Sequence, residues 1–253
     1  MILSTENVYG STTNSPLSMK VHPEKLILGR PHEGDIPIHG SIDRRLYNIK
    51  AIWNNEFDND TGIEKLLRLF LAVSQFFFPG LYLKEIFSKK YVLYQDLAVD
   101  VYVLFKLFFP LYLLMHDLQK NVVLFWILVW LMIETMLYIP TLIFASDVIA
   151  RPRSYRRSML LLFINYTEII FDFGVIYAFG DFLNKPFEHW FDSVYFSFIT
   201  AATIGFGDFY PAGPTGKFLV SFQSTLFILF VALFLNFFTG KVESKGYFGQ
   251  YKP

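Results

Sequence analysis

The chain gathers its apolar residues into four blocks, each about as long as a lipid bilayer is thick. The blocks cover residues 97–115, 121–145, 159–180 and 217–239. A helix needs roughly twenty apolar residues to cross a bilayer, and in hydrocarbon only helices and closed barrels satisfy every backbone polar group. The blocks therefore predict an all-α membrane protein with four transmembrane helices per chain.

The composition agrees with this class and excludes several others. The chain is 53% hydrophobic and 19% aromatic and contains no cysteine, which excludes disulfides and thiolate metal sites. Its formal net charge is zero, so no nucleic-acid partner is indicated. The first residues lack a basic segment followed by an apolar one, and we expect no cleaved signal peptide.

The segment before the first block is polar and less regular. Residues 1–60, broken by glycine and proline, predict a cytosolic N-terminal arm or small domain. Residues 61–96 predict an interfacial helix and a linker. The stretch 66–83 stays open as a fifth span, although it carries Arg68 and Gln75 and is interrupted by Pro79.

The basic residues predict the orientation. A basic linker at 146–158 contains Arg151, Arg153, Arg156 and Arg157, and the tail 241–253 carries lysines. Basic loops stay in the cytosol, so both termini are expected there, with the loops 116–120 and 181–192 outside. The linker is interpreted as an anchor or, alternatively, as a segment that contacts anionic lipid. None of the spans has the regularly spaced basic residues of a voltage sensor.

Between the third and fourth blocks, a short aromatic helix at 190–202 precedes Thr203-Ile-Gly-Phe-Gly-Asp208. A dehydrated cation needs a ring of oxygens, and backbone carbonyls can supply one if successive carbonyls point at one axis. Positive φ at alternate residues achieves this, and Gly205 and Gly207 adopt it without a Cβ penalty. Ile204 and Phe206 are then expected to point away from the axis and pack against the short helix.

These residues resemble the pore module of the tetrameric potassium channel superfamily. The matching run extends from Tyr195 to Pro211, within a module at 159–240, and its filter is similar to those of two-pore-domain and prokaryotic ion channels. The resemblance implies a homotetrameric potassium channel and not an enzyme. K⁺ would be the transported ion, with no other cofactor. Its sites would be formed by the filter residues Thr203, Ile204, Gly205, Phe206 and Gly207.

The filter departs from the family pattern in its aromatic positions. Phe206 replaces a tyrosine, and Tyr195 replaces a tryptophan that often lies eight residues before the filter threonine. A hydrogen bond from Tyr195 to Asp208 would support the filter from behind. Because Phe206 lacks a hydroxyl, a weakly selective cation channel stays open as an alternative. So does a non-conducting membrane sensor or partner with a vestigial pore.

Acidic and aromatic residues surround the filter. Asp181, Glu188 and Asp192 are expected in the outer vestibule, where negative charge would concentrate cations, or else in an ordinary solvated loop. The last block has no glycine hinge. It is expected to line or back the inner cavity, and to form a hydrophobic constriction, with the aromatic residues Phe222, Phe227, Phe230, Phe234 and Phe237.

Five ionisable residues lie inside the first three blocks, where they are costly unless paired or functional. They are Asp100, Lys106, Glu134, Glu168 and Asp172. One interpretation pairs Lys106 with Glu134. The other makes Glu168 and Asp172, which share a helix face, a cation-attracting or proton-sensing pair beside the pore. The expected partners are membrane lipid and other copies of the chain, and any ligand or protein control would act through residues 1–96.

Overall fold

The computed structural model describes residues 41–56, 61–88, 92–144 and 155–239. Within these ranges the backbone forms α-helices and short 3₁₀ turns, without a strand, which confirms the predicted all-α class. The helices are α1 Ser41–Asn54, α2 Gly62–Ser74, α3 Pro79–Ser88, α4 Val92–Met115, α5 Val122–Phe144, α6 Tyr155–Phe179, α7 Trp190–Ala201 and α8 Pro214–Thr239.

Four of these helices are long and apolar enough to cross a membrane, as the four blocks predicted. The spans are Asp96–Met115 in α4, Val122–Thr141 in α5, Arg157–Phe179 in α6 and Pro214–Leu235 in α8. The short helix α7 lies between the last two and packs on α6. The topology therefore places a half-length helix and a loop between two full spans.

Helices α2 and α3 form a bent pair rather than one straight helix. Their axes differ by 65°, and the two pass the length and composition test for a fifth span only when counted together. At the bend, the Gly80 amide donates to Glu134 Oε1 at 3.1 Å. Glu134 lies ten positions before the end of α5, roughly 15 Å along the helix. The bend thus contacts the middle of α5, while the interfacial placement of 61–96 stays a prediction.

A buried charge cluster joins α4, α5 and α6. Lys106 Nζ lies 3.1 Å from Glu168 Oε1 and 3.7 Å from Glu134 Oε2, so the predicted pairing of Lys106 with Glu134 is confirmed and Glu168 is closer still. Thr135 accepts a hydrogen bond from Lys106 and donates one to Glu168. Asp172 is also buried, and its Oδ2 has no hydrogen-bond partner among the described residues. Glu134 and Glu168 therefore share one ammonium group.

Arg157 makes a second connection between α4 and α6. Its guanidinium bonds Asp96 Oδ1 at 3.1 Å and Asp100 Oδ1 at 2.6 Å. Arg157 is the last arginine of the basic linker. The linker side chains at 146–156 lie outside the described residues, as do residues 1–40 of the predicted N-terminal arm and the tail. The beginning of α6 is thereby fixed to the beginning of α4.

The loops on either side of α7 are tied to each other. The Asn184 amide donates to the Tyr210 carbonyl at 3.0 Å, and the Ala212 amide donates to the Phe182 carbonyl at 3.0 Å. Gly216, in the first turn of α8, lies so close that a Cβ there would be 2.3 Å from the Phe182 oxygen. These contacts hold the segment after residue 207 against the segment before α7.

Removing the ammonium from the charge cluster should destabilise the fold. We expect Lys106→Met to lower stability by about 3–5 kcal/mol, because Glu134 and Glu168 would stay buried without a cation. The double variant Lys106→Met/Glu168→Gln should recover part of that loss. Thermal unfolding of detergent-purified protein, followed by tryptophan emission, measures both. Lys120→Met, at an exposed position, is the control. A double variant no more stable than the single one would contradict the pairing.

The crowded glycine gives a second prediction. Gly216→Ala should lower the unfolding temperature, with a cost of about 1–3 kcal/mol for overpacking. Gly213→Ala is the matched control, because a Cβ at Gly213 meets no atom within 4 Å and its φ is not positive. Both proteins are compared by thermal unfolding. If Gly216→Ala is as stable as Gly213→Ala, the close contact with the Phe182 carbonyl is wrong.

Candidate functional site

The helix α7 begins with a side-chain cap. The Asp192 carboxylate accepts hydrogen bonds from the backbone amides of Glu188 at 3.0 Å and His189 at 2.9 Å, and His189 Nδ1 accepts from the Phe191 amide at 3.2 Å. This reciprocal pattern satisfies amide groups that a helix N-terminus leaves without partners. Of the three predicted vestibule acids, Asp192 is thus engaged in capping, whereas Asp181 and Glu188 are exposed on the loop before it.

At its other end, α7 continues directly into the predicted filter. The Ala202 amide donates to the Phe198 carbonyl at 2.9 Å, the Thr203 amide to Thr200 at 3.1 Å and the Ile204 amide to Ile199 at 2.9 Å. The first amides of the loop are therefore satisfied by the end of the helix. The loop leaves the helix in a defined direction because of these bonds.

The backbone of the loop alternates between two conformations. Thr203, Gly205 and Gly207 have positive φ angles of 55°, 58° and 84°, and Ile204 and Phe206 between them do not. An extended strand points successive carbonyls to opposite sides. Changing the sign of φ at every second residue turns the peptide planes so that their carbonyls face one side. The predicted positive φ at both glycines is present, and Thr203 adds a third such residue.

Thr203 is the costly member of this set. A non-glycine residue rarely has positive φ, and a β-branched one least of all. A Cβ at Gly205 or Gly207, by contrast, would meet no atom within 4 Å, so the backbone conformation and not crowding requires glycine there. Strain of this kind persists where the surrounding structure enforces it and is typical of functional sites.

The side chains of the loop have few partners within one chain. Thr203 to Asp208 are all exposed, Ile204 by 51% and Phe206 by 70%. The expectation that Ile204 and Phe206 pack against the short helix is therefore wrong for a single chain. Neighbouring exposed apolar side chains mark an interaction surface. The described residues leave this surface largely uncovered.

Tyr195 of α7 lies close to Asp208, the residue that follows the loop. Desolvation and the negative charge of Asp208 raise the pKa of the Tyr195 phenol above its ordinary value of 10. The phenol therefore stays protonated at neutral pH. The predicted support of the filter by a hydrogen bond from Tyr195 to Asp208 stays a prediction.

A buried hydrogen-bond network behind α7 was not predicted from the sequence. Gln223 of α8 donates to the Ser197 hydroxyl at 2.8 Å and carbonyl at 3.0 Å, and accepts from the Tyr177 hydroxyl at 2.8 Å. Ser197 in turn donates to the Ile170 carbonyl. Gln223 is 2% exposed, and its network joins α6, α7 and α8. The available signal was the single glutamine in a mostly apolar span.

Helix α8 has two distinct faces. Its buried face carries Gln223, Leu226, Phe230 and Leu233, which pack within the chain. Its opposite face carries Ser221, Thr225, Ile228 and Ala232, all exposed. The spacing of three and four residues in each set places its members on one side of the helix.

The aromatic residues predicted at the inner cavity divide between these faces. The Phe230 ring is 1% exposed and lies 5.1 Å from the Tyr166 ring, so it backs α8 and does not line a pore. Phe227 and Phe234 are half-buried, and Phe222 is exposed. The Phe237 side chain lies outside the described residues. A hydrophobic constriction at Phe230 is therefore wrong, because that ring is inside its own subunit.

No group of acidic or histidine residues in the described ranges has the arrangement of a metal site. The chemistry available around residues 203–207 is that of backbone carbonyls and one threonine hydroxyl. Such uncharged oxygens suit a monovalent cation that gives up its hydration shell. Divalent cations, in contrast, are usually held by carboxylates.

Comparison with known proteins identifies the same region. Residues 159–244 match a family model described as "Ion channel". The matched residues include most of α6, the loop and α8. No curated protein and no solved structure gives a significant match to the chain. The match and the four candidate spans together describe an integral membrane protein. Residues 159–244 are therefore similar to this ion channel family, which is a channel rather than an enzyme family.

Proposed function

We propose that the chain is the subunit of a homotetrameric, potassium-selective channel of the cell membrane with both termini in the cytosol. The observation that carries this proposal is the alternation of φ at Thr203, Gly205 and Gly207. It turns the carbonyls of residues 203–207 to one side, where they replace the hydration shell of a dehydrated K⁺. Asp208 and Tyr195 brace the outer end of this filter.

Assembly of several copies is supported by what one chain leaves incomplete. A single loop cannot surround an ion, whereas copies related by a rotation axis close a ring of carbonyls. The exposed Ile204 and Phe206 side chains then pack against neighbouring copies. Four copies are proposed because the potassium filters that this loop resembles use four.

The inner pore is proposed to follow the exposed face of α8. Ser221 and Thr225 carry hydroxyls there, which donate to carbonyls four residues earlier at 2.8 Å and 2.9 Å. Ile228 and Ala232 continue the same face toward the end of the helix. The opposite face is already buried against α6 and α7, so it is not available to line a pore.

Weak selectivity is the alternative that one observation favours. Phe206 has no hydroxyl with which to tie the loop to α7, and its ring is exposed within the chain. A filter held less tightly would discriminate less between K⁺ and Na⁺. The reversal potential separates the two functions.

The proposal is tested by single-channel recording of purified protein in bilayers with K⁺ on one side and Na⁺ on the other. We expect a current that reverses close to the potassium equilibrium potential. Equal permeability to the two ions would favour the weakly selective channel. A protein that assembles and inserts without conducting would contradict both functions. That result would favour a non-conducting protein with a vestigial pore.

A matched pair of variants connects that result to the loop. Gly205→Ala should abolish potassium current, because L-residues at positive φ cost about 1–2 kcal/mol in every copy. Gly213→Ala, where φ is not positive and a Cβ meets open space, should conduct normally. Selective current through a well-folded Gly205→Ala channel would contradict the filter assignment.

Single cysteines test the pore-lining face without a background, since the chain contains no cysteine. A positively charged thiol reagent applied from the cytosolic side should block Thr225→Cys and Ala232→Cys. It should leave Leu226→Cys and Leu233→Cys conducting, because these adjacent positions are 7% and 1% exposed. Block of the two buried positions, with the exposed pair unaffected, would reverse the proposed orientation of α8.

A further inference from the structure

Two carboxyl oxygens buried on α6 have no hydrogen-bond partner among the described residues. They are Glu168 Oε2 and Asp172 Oδ2, and the two residues are only 1% and 3% exposed. Residues four positions apart lie on the same helix face, and helical side chains lean toward the N-terminus, which directs Asp172 toward Glu168. Buried polar groups without partners are rare, so two of them on one face require a physical cause.

The charges around this pair do not balance. The Lys106 ammonium is already shared, since it lies 3.1 Å from Glu168 and 3.7 Å from Glu134. The charges of Glu168 and Lys106 both act on Asp172, which makes no hydrogen bond or ion pair with a described residue. If all three acids were ionised, one ammonium would leave two negative charges uncompensated inside the membrane, where such charges are costly.

The other cations on neighbouring elements of the described chain are engaged elsewhere or exposed. Arg157, at the beginning of α6, is bonded to two aspartates of α4 and lies roughly 16 to 22 Å along the helix from the pair. The Lys84 ammonium of α3 interacts with Asp96 and Glu134. The lysines of the remaining elements packed against α6 are exposed, namely Lys120 in the turn 118–120 and Lys217 on α8. The ionisable side chains of α7 are Asp192 and Tyr195, neither of which is a cation.

A proton supplies the missing positive charge and the missing hydrogen bond together. As a carboxylic acid, Asp172 would donate its O–H group to Glu168 Oε2, in a charge-assisted hydrogen bond that satisfies both oxygens. Two carboxyl groups that share one site commonly keep a proton, because a like charge nearby disfavours the second ionisation. One proton therefore removes both anomalies of this site.

The proton is assigned to Asp172 because the other two acids accept hydrogen bonds that stabilise a carboxylate. Glu168 accepts from the Thr135 hydroxyl at 2.9 Å, and Glu134 accepts from the Gly80 amide at 3.1 Å. We propose that Glu168 and Asp172 form a proton-binding site, in which Asp172 holds one proton at neutral pH and donates it to Glu168.

The site lies beside the contact between α6 and α7. The Ile170 carbonyl accepts a hydrogen bond from Ser197 of α7, and a Cβ at Gly174 would be 3.3 Å from the Val194 Cα of the same helix. Asp172 is midway between these two contacts in the sequence. Loss of the proton would place two adjacent carboxylates next to this contact, so the fold should weaken at alkaline pH.

Infrared spectroscopy detects the proton directly, because the C=O stretch of a carboxylic acid is separate from those of carboxylates and amides. The protein is measured at about pH 7 in dodecyl maltoside, a detergent without carbonyl groups. We expect an acid band that shifts when the aspartate carboxyl carbons are isotopically labelled. The band should be absent from Asp172→Asn, whereas Asp117→Asn, at an exposed position, should retain it.

The pH dependence of unfolding gives the second measurement. Carboxyl groups of the unfolded chain are ionised above about pH 5, so a folded state that keeps one proton loses stability as the pH rises. Asp172→Asn keeps an uncharged hydrogen-bond donor and should lose this dependence. Between about pH 6 and pH 8, the unfolding equilibrium constant of the unsubstituted protein should rise about tenfold per pH unit relative to that of Asp172→Asn. Unfolding by dodecyl sulfate, followed by tryptophan emission, measures both proteins, with Asp117→Asn as the control.

Several results would overturn the proposal. They are the absence of an acid band at neutral pH, a band that Asp172→Asn retains, and equal pH dependence of the unsubstituted protein and Asp172→Asn. If Asp172→Asn does not fold, Asp172→Ser takes its place, and the isotope labelling requires no variant. None of these measurements requires ion current, so they can fail while the channel function stands.

Discussion

Backbone carbonyls inside a membrane need partners, and this constraint governs the structure. The loop after α7 satisfies its first amides with the end of that helix, and the sign of φ alternates along it. Irregular backbone at this depth is tolerated only where it is buried in protein or lines a wet path. The surrounding contacts, from the cap at Asp192 to the hydrogen bonds between Gln223 and Ser197, position this one loop.

Helix α6 connects the loop to the rest of the chain. Its Ile170 carbonyl accepts from Ser197 of α7, while Glu168, two residues earlier, pairs with Lys106 of α4. Helix α6 therefore joins the buried charge cluster to α7.

Parts of this arrangement follow from the sequence because they depend on local chemistry. Apolar length predicted the four spans, and the spacing of Gly205 and Gly207 predicted their positive φ. Contacts between distant residues could not be predicted in this way. Gln223 bonds side chains 26 and 46 positions away, and Thr203 adopts a conformation against its own preference because α7 enforces it. The inward turn of Phe230 depends likewise on how α8 packs.

The most direct measurement of the central claim is a structure of the assembled protein in rubidium or thallium, with the ions located by their anomalous scattering. The account predicts a row of ion peaks on a fourfold axis, each surrounded by carbonyl oxygens of residues 203–207 from all four copies. A solitary subunit would contradict it. So would ions bound away from the axis, or loops that do not face the axis.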